Sequence, residues 1–227
     1  MNQMHISAQD ASLRRRIVGI DLHVPVLGDG RLPYVNLDNA ASTPVLCEVL
    51  DTVNRFMDWY SSVHRGAGFK SQVSTHAYEE ARGIVADFVR ANRGEHVVIF
   101  GKNATEAINK VSWRLNLGPD DVVLVSQMEH HSNDLPWRAQ ARVEHIGVDD
   151  NGALDLAHLD SLLHRHAGRV RLVAVTGASN VTGYMPDIHA LARHSRSGPP
   201  GPRRQRPEPC RLRAACSPSH DRHARPR

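Results

Sequence analysis

The stretch VVLVSQMEHHSNDLPW, residues 122–137, joins a short apolar run directly to a cluster of polar and aromatic side chains. The run VVLVS carries no charge and is rich in β-branched residues, which predicts a strand buried on both faces of a parallel sheet. The polar cluster begins where that strand ends, and parallel sheets collect their ligands at the carboxyl ends of their strands. This stretch therefore predicts an α/β fold with a site at one edge of its sheet.

Other apolar runs alternate with helical patterns on both sides of this stretch. Strands are predicted at HVVIF (96–100), VEHIGV (143–148) and RLVAVTG (171–177), with a further extended stretch before NAASTP. Helices are predicted at 45–60, at 73–91, after GKNATE, after a cap at Asp155, and at 187–194. Short strands that alternate with helices indicate an α/β domain with a mostly parallel sheet and flanking helices.

The net charge and the proline content of the chain change near residue 195. Residues 196–227 carry a net charge of +7 and seven of the 13 prolines, whereas residues 1–195 carry −3. The basic segment is either a native disordered tail that contacts nucleic acid or membrane, or a reading frame translated out of register. The abrupt end of the α/β pattern favours the second interpretation. The mildly acidic remainder gives no reason to expect nucleic acid as a partner.

Composition argues against several other classes of protein. Three cysteines, Cys47, Cys210 and Cys216, are too few and too scattered for a disulfide framework or a zinc site, which suits a reducing cytosol. No apolar run approaches the roughly 20 residues needed to cross a bilayer, and the N-terminus lacks the pattern of a secretory signal. We therefore expect a cytoplasmic protein that makes no membrane contact.

Two loops carry groups that suit a ligand. Asn103, Ala104 and Thr105 lie where a predicted strand gives way to a helix, so that either their N–H groups hold a phosphate or their side chains simply cap the helix. In MEHHSN, the adjacent His130 and His131 rarely reach one ion, and no further ligand motif accompanies them, so no metal is expected. From these residues alone, a histidine ring that stacks on an aromatic cofactor and a purely structural histidine are equal alternatives. No GxxxxGK(S/T), GxGxxG or GxSxG motif occurs.

Six segments together resemble the class V aminotransferases, in particular the cysteine desulfurases, which are pyridoxal-phosphate (PLP) enzymes. They occur in the family's order and spacing over about residues 34–194: LDNAASTP, SVHRGAGFKSQVSTHAYEEAR, FGKNATEAIN, SQMEHHSNDLPW, DDNGALDLAHLDSLL and LVAVTGASNVTGYMPDI. The resemblance implies a partial large domain of the type I PLP-dependent transferase fold. We expect an N-terminal arm at 1–30, the N-terminal half of that domain at 31–195, and an aberrant or disordered tail at 196–227.

The resemblance also assigns roles to particular residues. Ala104 and Thr105 match positions that hold the PLP phosphate, although the family's Gly-Thr-Thr is Asn103-Ala104-Thr105 here and lacks one hydroxyl. His130 matches the histidine that stacks on the pyridine ring and is a candidate catalytic proton carrier. Asn180 matches an amide that hydrogen-bonds the cofactor's phenolic oxygen. Ala40, His64 and Arg65 match segments that line the substrate side.

The implied activity is the removal of sulfur from L-cysteine, which leaves L-alanine, in a homodimer that takes a small amino acid as substrate. The family also uses a lysine that binds PLP as a Schiff base and a nucleophilic cysteine. The chain contains only Lys70, Lys102 and Lys110, and none matches that lysine. We therefore expect a truncated or frameshifted, inactive enzyme. The alternatives are another class V enzyme (a transaminase, lyase or epimerase) and a non-enzymatic protein that binds nucleic acid through its tail.

Overall fold

The computed structural model of the protein describes residues 12–196, with side chains as far as residue 195. The expectations for residues 1–11 and 197–227 lie outside this range. The chain forms two compact units, the first ending at Val98 and the second beginning at Ile99. Among the described residues, no helix is both long enough and apolar enough to cross a membrane.

The first unit contains an antiparallel hairpin and two helices. Strands β1 (His23–Val26) and β2 (Gly30–Pro33) form the hairpin, within the region predicted to be extended before NAASTP. Gly28 and Asp29 turn the chain at φ 95° and 60°, in the left-handed region that glycine enters without strain. Helices α1 (Cys47–Met57) and α2 (Phe69–Phe88) follow.

Both helices confirm the predicted elements, with shifted ends. Helix α1 lies within the predicted range 45–60. Helix α2 begins at Phe69 rather than at residue 73, because Gly68 is extended (φ −66°, ψ 147°) and ends the preceding loop there. After Phe69, the first turn of α2 carries the polar side chains of Lys70, Ser71 and Gln72, which a search for apolar periodicity does not detect.

The strand predicted at HVVIF (96–100) is wrong. These residues are irregular, and Val97 and Ile99 are 74% and 79% exposed. The Val98 carbonyl accepts a hydrogen bond from Arg82 Nε at 2.9 Å instead of pairing with a strand. A β-branched composition favours a strand only where a neighbouring strand supplies partners for the backbone.

The second unit is built around a parallel sheet. Its elements are α3 (Ala104–Arg114), β3 (Val122–Ser126), a 3₁₀ turn (His131–Asn133), α4 (Leu135–Arg138), β4 (Arg142–Ile146), α5 (Leu156–Arg165), β5 (Val170–Ala174) and α6 (Ile188–Arg196). The strand order is β4-β3-β5, and both pairs are parallel. The α/β prediction is therefore confirmed, and β3 has the predicted bounds.

The core of this unit lies on both faces of the central strand β3. One face packs against the leucines of α5 and α6, and the other packs against Trp137 of α4 and the inner side of α3. The first cluster contains Val122, Leu124, Ile146, Leu154, Leu159, Leu162, Leu163 and Leu191, and the second contains Val123, Val125, Trp137, Ala141 and Ala174. Full burial of one such aliphatic side chain contributes about 1.5–3 kcal/mol. Asp155 caps α5 as predicted, because its carboxylate accepts the His158 N–H at 2.9 Å.

Candidate functional site

The carboxyl edge of the sheet brings together the loops that follow β3 and β5, because these strands are parallel neighbours. Glu129 joins the two loops. Its carboxylate accepts hydrogen bonds from the Ser126 hydroxyl, from the Thr176 N–H at 2.5 Å and from the Asn133 amide at 2.8 Å. The sequence did not identify Glu129, because the Thr176 N–H that it binds lies 47 residues further along the chain.

His130 is the N-cap of the 3₁₀ turn and is exposed. Its Nδ1 lies 3.1 Å from the Ser132 backbone nitrogen and 2.8 Å from the Ser132 hydroxyl oxygen. A backbone N–H can only donate, so Nδ1 accepts, and the neutral ring therefore carries its proton on Nε2. The ring of His131 is also exposed, with its centroid 6.3 Å from that of His130. Within residues 12–195, hydrogen bonds orient the ring of His130 but not that of His131.

Trp137 and Ser112 support the turn that follows His130. Trp137 is 3% exposed, and its Nε1 donates to the Asn133 carbonyl at 2.8 Å. The Ser112 hydroxyl of α3 donates to the Pro136 carbonyl, also at 2.8 Å. Helix α3 therefore packs beside both the 3₁₀ turn and α4. These contacts bring the segment that begins with GKNATE next to the loop that carries His130.

Asp134 anchors the far end of the same turn. Its largely buried carboxylate pairs with the Arg138 guanidinium and lies 3.2 Å from His145 Nε2. Burial raises the pKa of Asp134, but the hydrogen bonds from Arg138 and His145 outweigh burial and hold the pKa below its ordinary value. The loop is thus fixed by a buried tryptophan and an ionised carboxylate.

The N-terminus of α3 has open backbone donors at the predicted phosphate position. Asn103 caps the helix by accepting the Glu106 N–H at 2.9 Å, so the capping interpretation is correct for this side chain. Ala104 and Thr105 are exposed, and no hydrogen bond within residues 12–195 uses their N–H groups. Capping and anion binding therefore use different N–H groups of this helix.

Glu106 lies against the same helix start. Its carboxylate accepts hydrogen bonds from the Lys102 N–H and from Lys110 Nζ, the latter at 2.5 Å. The hydrogen bond from Lys110, followed by that from the Lys102 N–H, lowers the pKa of Glu106. The ammonium of Lys110 offsets the negative charge that Glu106 brings to the helix N-terminus.

Asn180 lies in the loop after β5, with an exposed side chain. Ser179 beside it is 5% exposed and organises the loop. Its hydroxyl accepts the N–H groups of Val181 and Thr182 at 3.3 and 3.2 Å, and its own N–H donates to the Tyr184 carbonyl at 2.9 Å. This role has no signal in the local sequence, because serine is common in loops of every kind.

The three residues predicted for the substrate side lie in the first unit. Ala40 is exposed in the turn that Asp38 closes by accepting the Ala41 N–H. His64 has φ 56°, donates its N–H to Thr75 Oγ1 at 2.9 Å and places Nε2 2.9 Å from Glu79 Oε1.

Arg65 is exposed next to His64, and within residues 12–195 its guanidinium forms no ion pair. Helix α2 holds this loop in place through the hydroxyls of Ser71, Ser74 and Thr75. The strained φ of His64 is therefore maintained by fixed contacts on both its backbone and its ring.

The second unit offers three kinds of group that suit a planar, phosphorylated ligand. The open N–H groups of α3 suit phosphate oxygens, the His130 ring suits an aromatic face, and the Asn180 amide suits a ring oxygen. The residues present thus fit PLP, and their individual roles stay predictions. Among the described residues, no group of three His, Cys, Asp or Glu side chains could hold a metal ion.

Known proteins are similar to this chain in sequence and in fold. The family model for aminotransferase class V matches residues 35–198. The chain is 37% identical over 193 residues to a cysteine desulfurase of Haloferax volcanii, and 40% identical over 172 residues to one of Dickeya dadantii. These matches cover 81% and 72% of this chain but 45% and 41% of the relatives, so the chain spans less than half of their length.

A solved structure gives the same result. The apo cysteine desulfurase from Thermococcus onnurineus superposes with a TM-score of 0.70 at 29% identity. The match covers 87% of this chain and 46% of that one.

Proposed function

The chain belongs to the class V aminotransferase family, and we propose that it holds PLP non-covalently in a site of the cysteine desulfurase type, the reaction of that type being the removal of sulfur from L-cysteine. One observation carries this proposal. The loops after β3 and β5, which hold His130 and Asn180, meet at one edge of a parallel sheet and are joined through Glu129. Helix α3, whose N-terminus carries the open donors, packs beside the turn that follows His130.

We assign the phosphate to the N–H groups of Ala104 and Thr105, with the Thr105 hydroxyl as a further donor. These N–H groups lie at the positive end of an 11-residue helix, which favours an anion. The missing hydroxyl at Ala104 removes one donor that the family often has, but both backbone donors are retained. When bound, PLP supplies an electron sink for the carbanion that forms at the substrate.

His130 is proposed to lie against the cofactor ring and to carry a proton. Because Ser132 occupies Nδ1, only Nε2 is available to give or take that proton. An imidazole nitrogen can both accept and donate a proton, which suits this task. Asn180, whose amide is exposed, is proposed to donate to the cofactor's phenolic oxygen.

The substrate is proposed to be a small amino acid that Ala40, His64 and Arg65 contact. A guanidinium binds a carboxylate through two parallel hydrogen bonds, and that of Arg65 is exposed. A homodimer is proposed from the family alone.

A pair of matched variants tests the proposed function. His130→Asn removes the ring but keeps a short side-chain acceptor for the Ser132 N–H, and His131→Asn makes the same change one residue later. The ligand is pyridoxine 5′-phosphate, which keeps the ring and phosphate but has no aldehyde to react with lysine. An aromatic contact is worth about 0.5–1.5 kcal/mol, so His130→Asn should raise the dissociation constant roughly 2- to 12-fold.

The control should behave differently: His131→Asn should change the dissociation constant by less than about twofold, because an exposed substitution usually changes a free energy by no more than about 0.5 kcal/mol. Equal effects of the two substitutions, or no binding by the unsubstituted chain, would contradict the proposal.

A further inference from the structure

We propose that Glu129 is a positioning residue that holds the loops after β3 and β5 in one arrangement, and so fixes His130 and Asn180 relative to each other. The hydrogen bonds to its carboxylate from Ser126, Asn133 and Thr176 are called the Glu129 network. The inference rests on the proposed function only for the use of His130 and Asn180 in holding the cofactor.

The Glu129 network restrains the chain on both sides of His130. Ser126, which is 1% exposed, is the last residue of β3, and its hydroxyl binds Glu129 just before the loop begins. Asn133 ends the 3₁₀ turn, and its amide binds the other carboxylate oxygen. His130 lies between these two attachment points, so its backbone is fixed to the end of a buried strand.

The same carboxylate reaches the second loop. The Thr176 N–H donates to the oxygen of Glu129 that also binds Ser126. Thr176 Oγ1 then donates to the Ala178 carbonyl at 2.8 Å, and the Ser179 turn follows at once. Hydrogen bonds therefore link Glu129 through Thr176 to Ala178, two residues before Asn180.

A carboxylate suits this position because it accepts several hydrogen bonds at once and donates none. Alanine at residue 129 leaves three donors without their acceptor. Glutamine can keep the network, since its oxygen accepts from Ser126 and Thr176 while the Asn133 amide turns over to accept from its NH₂ group. The two substitutions therefore separate the network from the mere presence of a side chain.

The experiment compares Glu129→Ala, Glu129→Gln and Glu144→Ala in the full chain. Glu144, the middle residue of β4, is the matched control, because its half-buried carboxylate pairs with Arg142 and lies 3.5 Å from His166 Nε2, and neither partner belongs to the loops after β3 and β5. One readout is hydrogen exchange of the Thr176 N–H together with the ring-nitrogen resonances of His130. The other is the dissociation constant of pyridoxine 5′-phosphate.

We expect Glu129→Ala to accelerate Thr176 exchange and weaken binding at least tenfold, with a shift of the His130 resonances. Glu129→Gln and Glu144→Ala should stay within about threefold of the unsubstituted chain in both readouts, because neither removes the acceptor of the Glu129 network. Equal losses in Glu144→Ala and Glu129→Ala would show a general effect of stability and overturn the proposal. Equal losses in Glu129→Gln and Glu129→Ala would overturn it too, because glutamine keeps the network.

Two further outcomes are also decisive. If the unsubstituted chain does not bind pyridoxine 5′-phosphate, the proposed function fails. The Thr176 exchange rate and the His130 ring resonances then decide the role of Glu129 by themselves. A change of both in Glu129→Ala supports the role, and unchanged values overturn it. If Glu129→Ala does not fold, Asn133→Ala removes one donor of the network. It should accelerate Thr176 exchange two- to fivefold, and an unchanged rate overturns the proposal.

Discussion

Ala104→Pro tests the phosphate site with one substitution that the helix tolerates. Proline lacks the N–H group, and Ala104 is the first residue of α3, where that N–H makes no hydrogen bond within the helix. The preceding Asn103 is extended (φ −166°, ψ 175°), which is the conformation that a following proline requires. The substitution therefore deletes one of the two open donors and leaves the Asn103 cap and the helix in place.

The expected loss follows from the charge of the ligand. A hydrogen bond to a charged group contributes about 1.5–3 kcal/mol, so the dissociation constant of pyridoxine 5′-phosphate should rise about 10- to 150-fold. The free energy of unfolding should be unchanged or slightly higher, by about 0.4–1 kcal/mol, because proline restricts the unfolded chain.

Calorimetric titration of both chains with the phosphorylated ligand and with pyridoxine measures this effect. Pyridoxine lacks the phosphate, so the difference between the two chains should disappear with it. An unchanged affinity for pyridoxine 5′-phosphate in a folded Ala104→Pro chain would refute the assignment of the phosphate to α3. An equal loss for both ligands would place the ring, rather than the phosphate, beside Ala104.

Three more predictions concern stability and covalent chemistry. Leu162→Ala, at a position 1% exposed, should lower the free energy of unfolding measured in urea by roughly 2–5 kcal/mol. Leu156→Ala, at a position 48% exposed, should lower that free energy by less, and equal losses in the two variants would contradict the described core. The lowered pKa of Asp134 means that its ionised form contributes stability above the ordinary carboxyl pKa of about 3.9, and that this is lost as the pH falls through the lowered value. In Asp134→Asn, the urea concentration at the unfolding midpoint should therefore fall less steeply as the pH is lowered below about 4. An unchanged fall would exclude Asp134 as its source. Borohydride treatment with PLP should leave no single stoichiometric lysine adduct, because none of the three lysines matches the family's position; peptide mapping that finds such a lysine would contradict this.

Local sequence predicted the fold where side chains alone decide the structure. The run VVLVS became β3 with the predicted bounds, because five uncharged residues can be buried on both faces of a sheet. HVVIF has a similar composition and forms no strand, because pairing depends on a neighbour that the local sequence does not specify. The boundary of α2 was missed for a related reason, since the Gly68 cap is a backbone feature.

The candidate site was predictable in the same partial way. Motif order predicts His130 and the N-terminus of α3 as site residues, and helix α3 packs beside the turn that follows His130. Glu129 and Ser179 were not found, because their importance lies in hydrogen bonds to backbone groups rather than in reactive chemistry. The tautomer of His130 likewise depends on the N–H of Ser132, whose direction only the folded turn defines.

Amide chemical shifts during a titration with pyridoxine 5′-phosphate test the central claim, that the carboxyl edge of the second unit holds a PLP-type cofactor. The account predicts that the amide resonances of Ala104, Thr105, His130 and Asn180 move together and saturate with a single dissociation constant. Absence of any shift, or shifts confined to residues away from these loops, would contradict it.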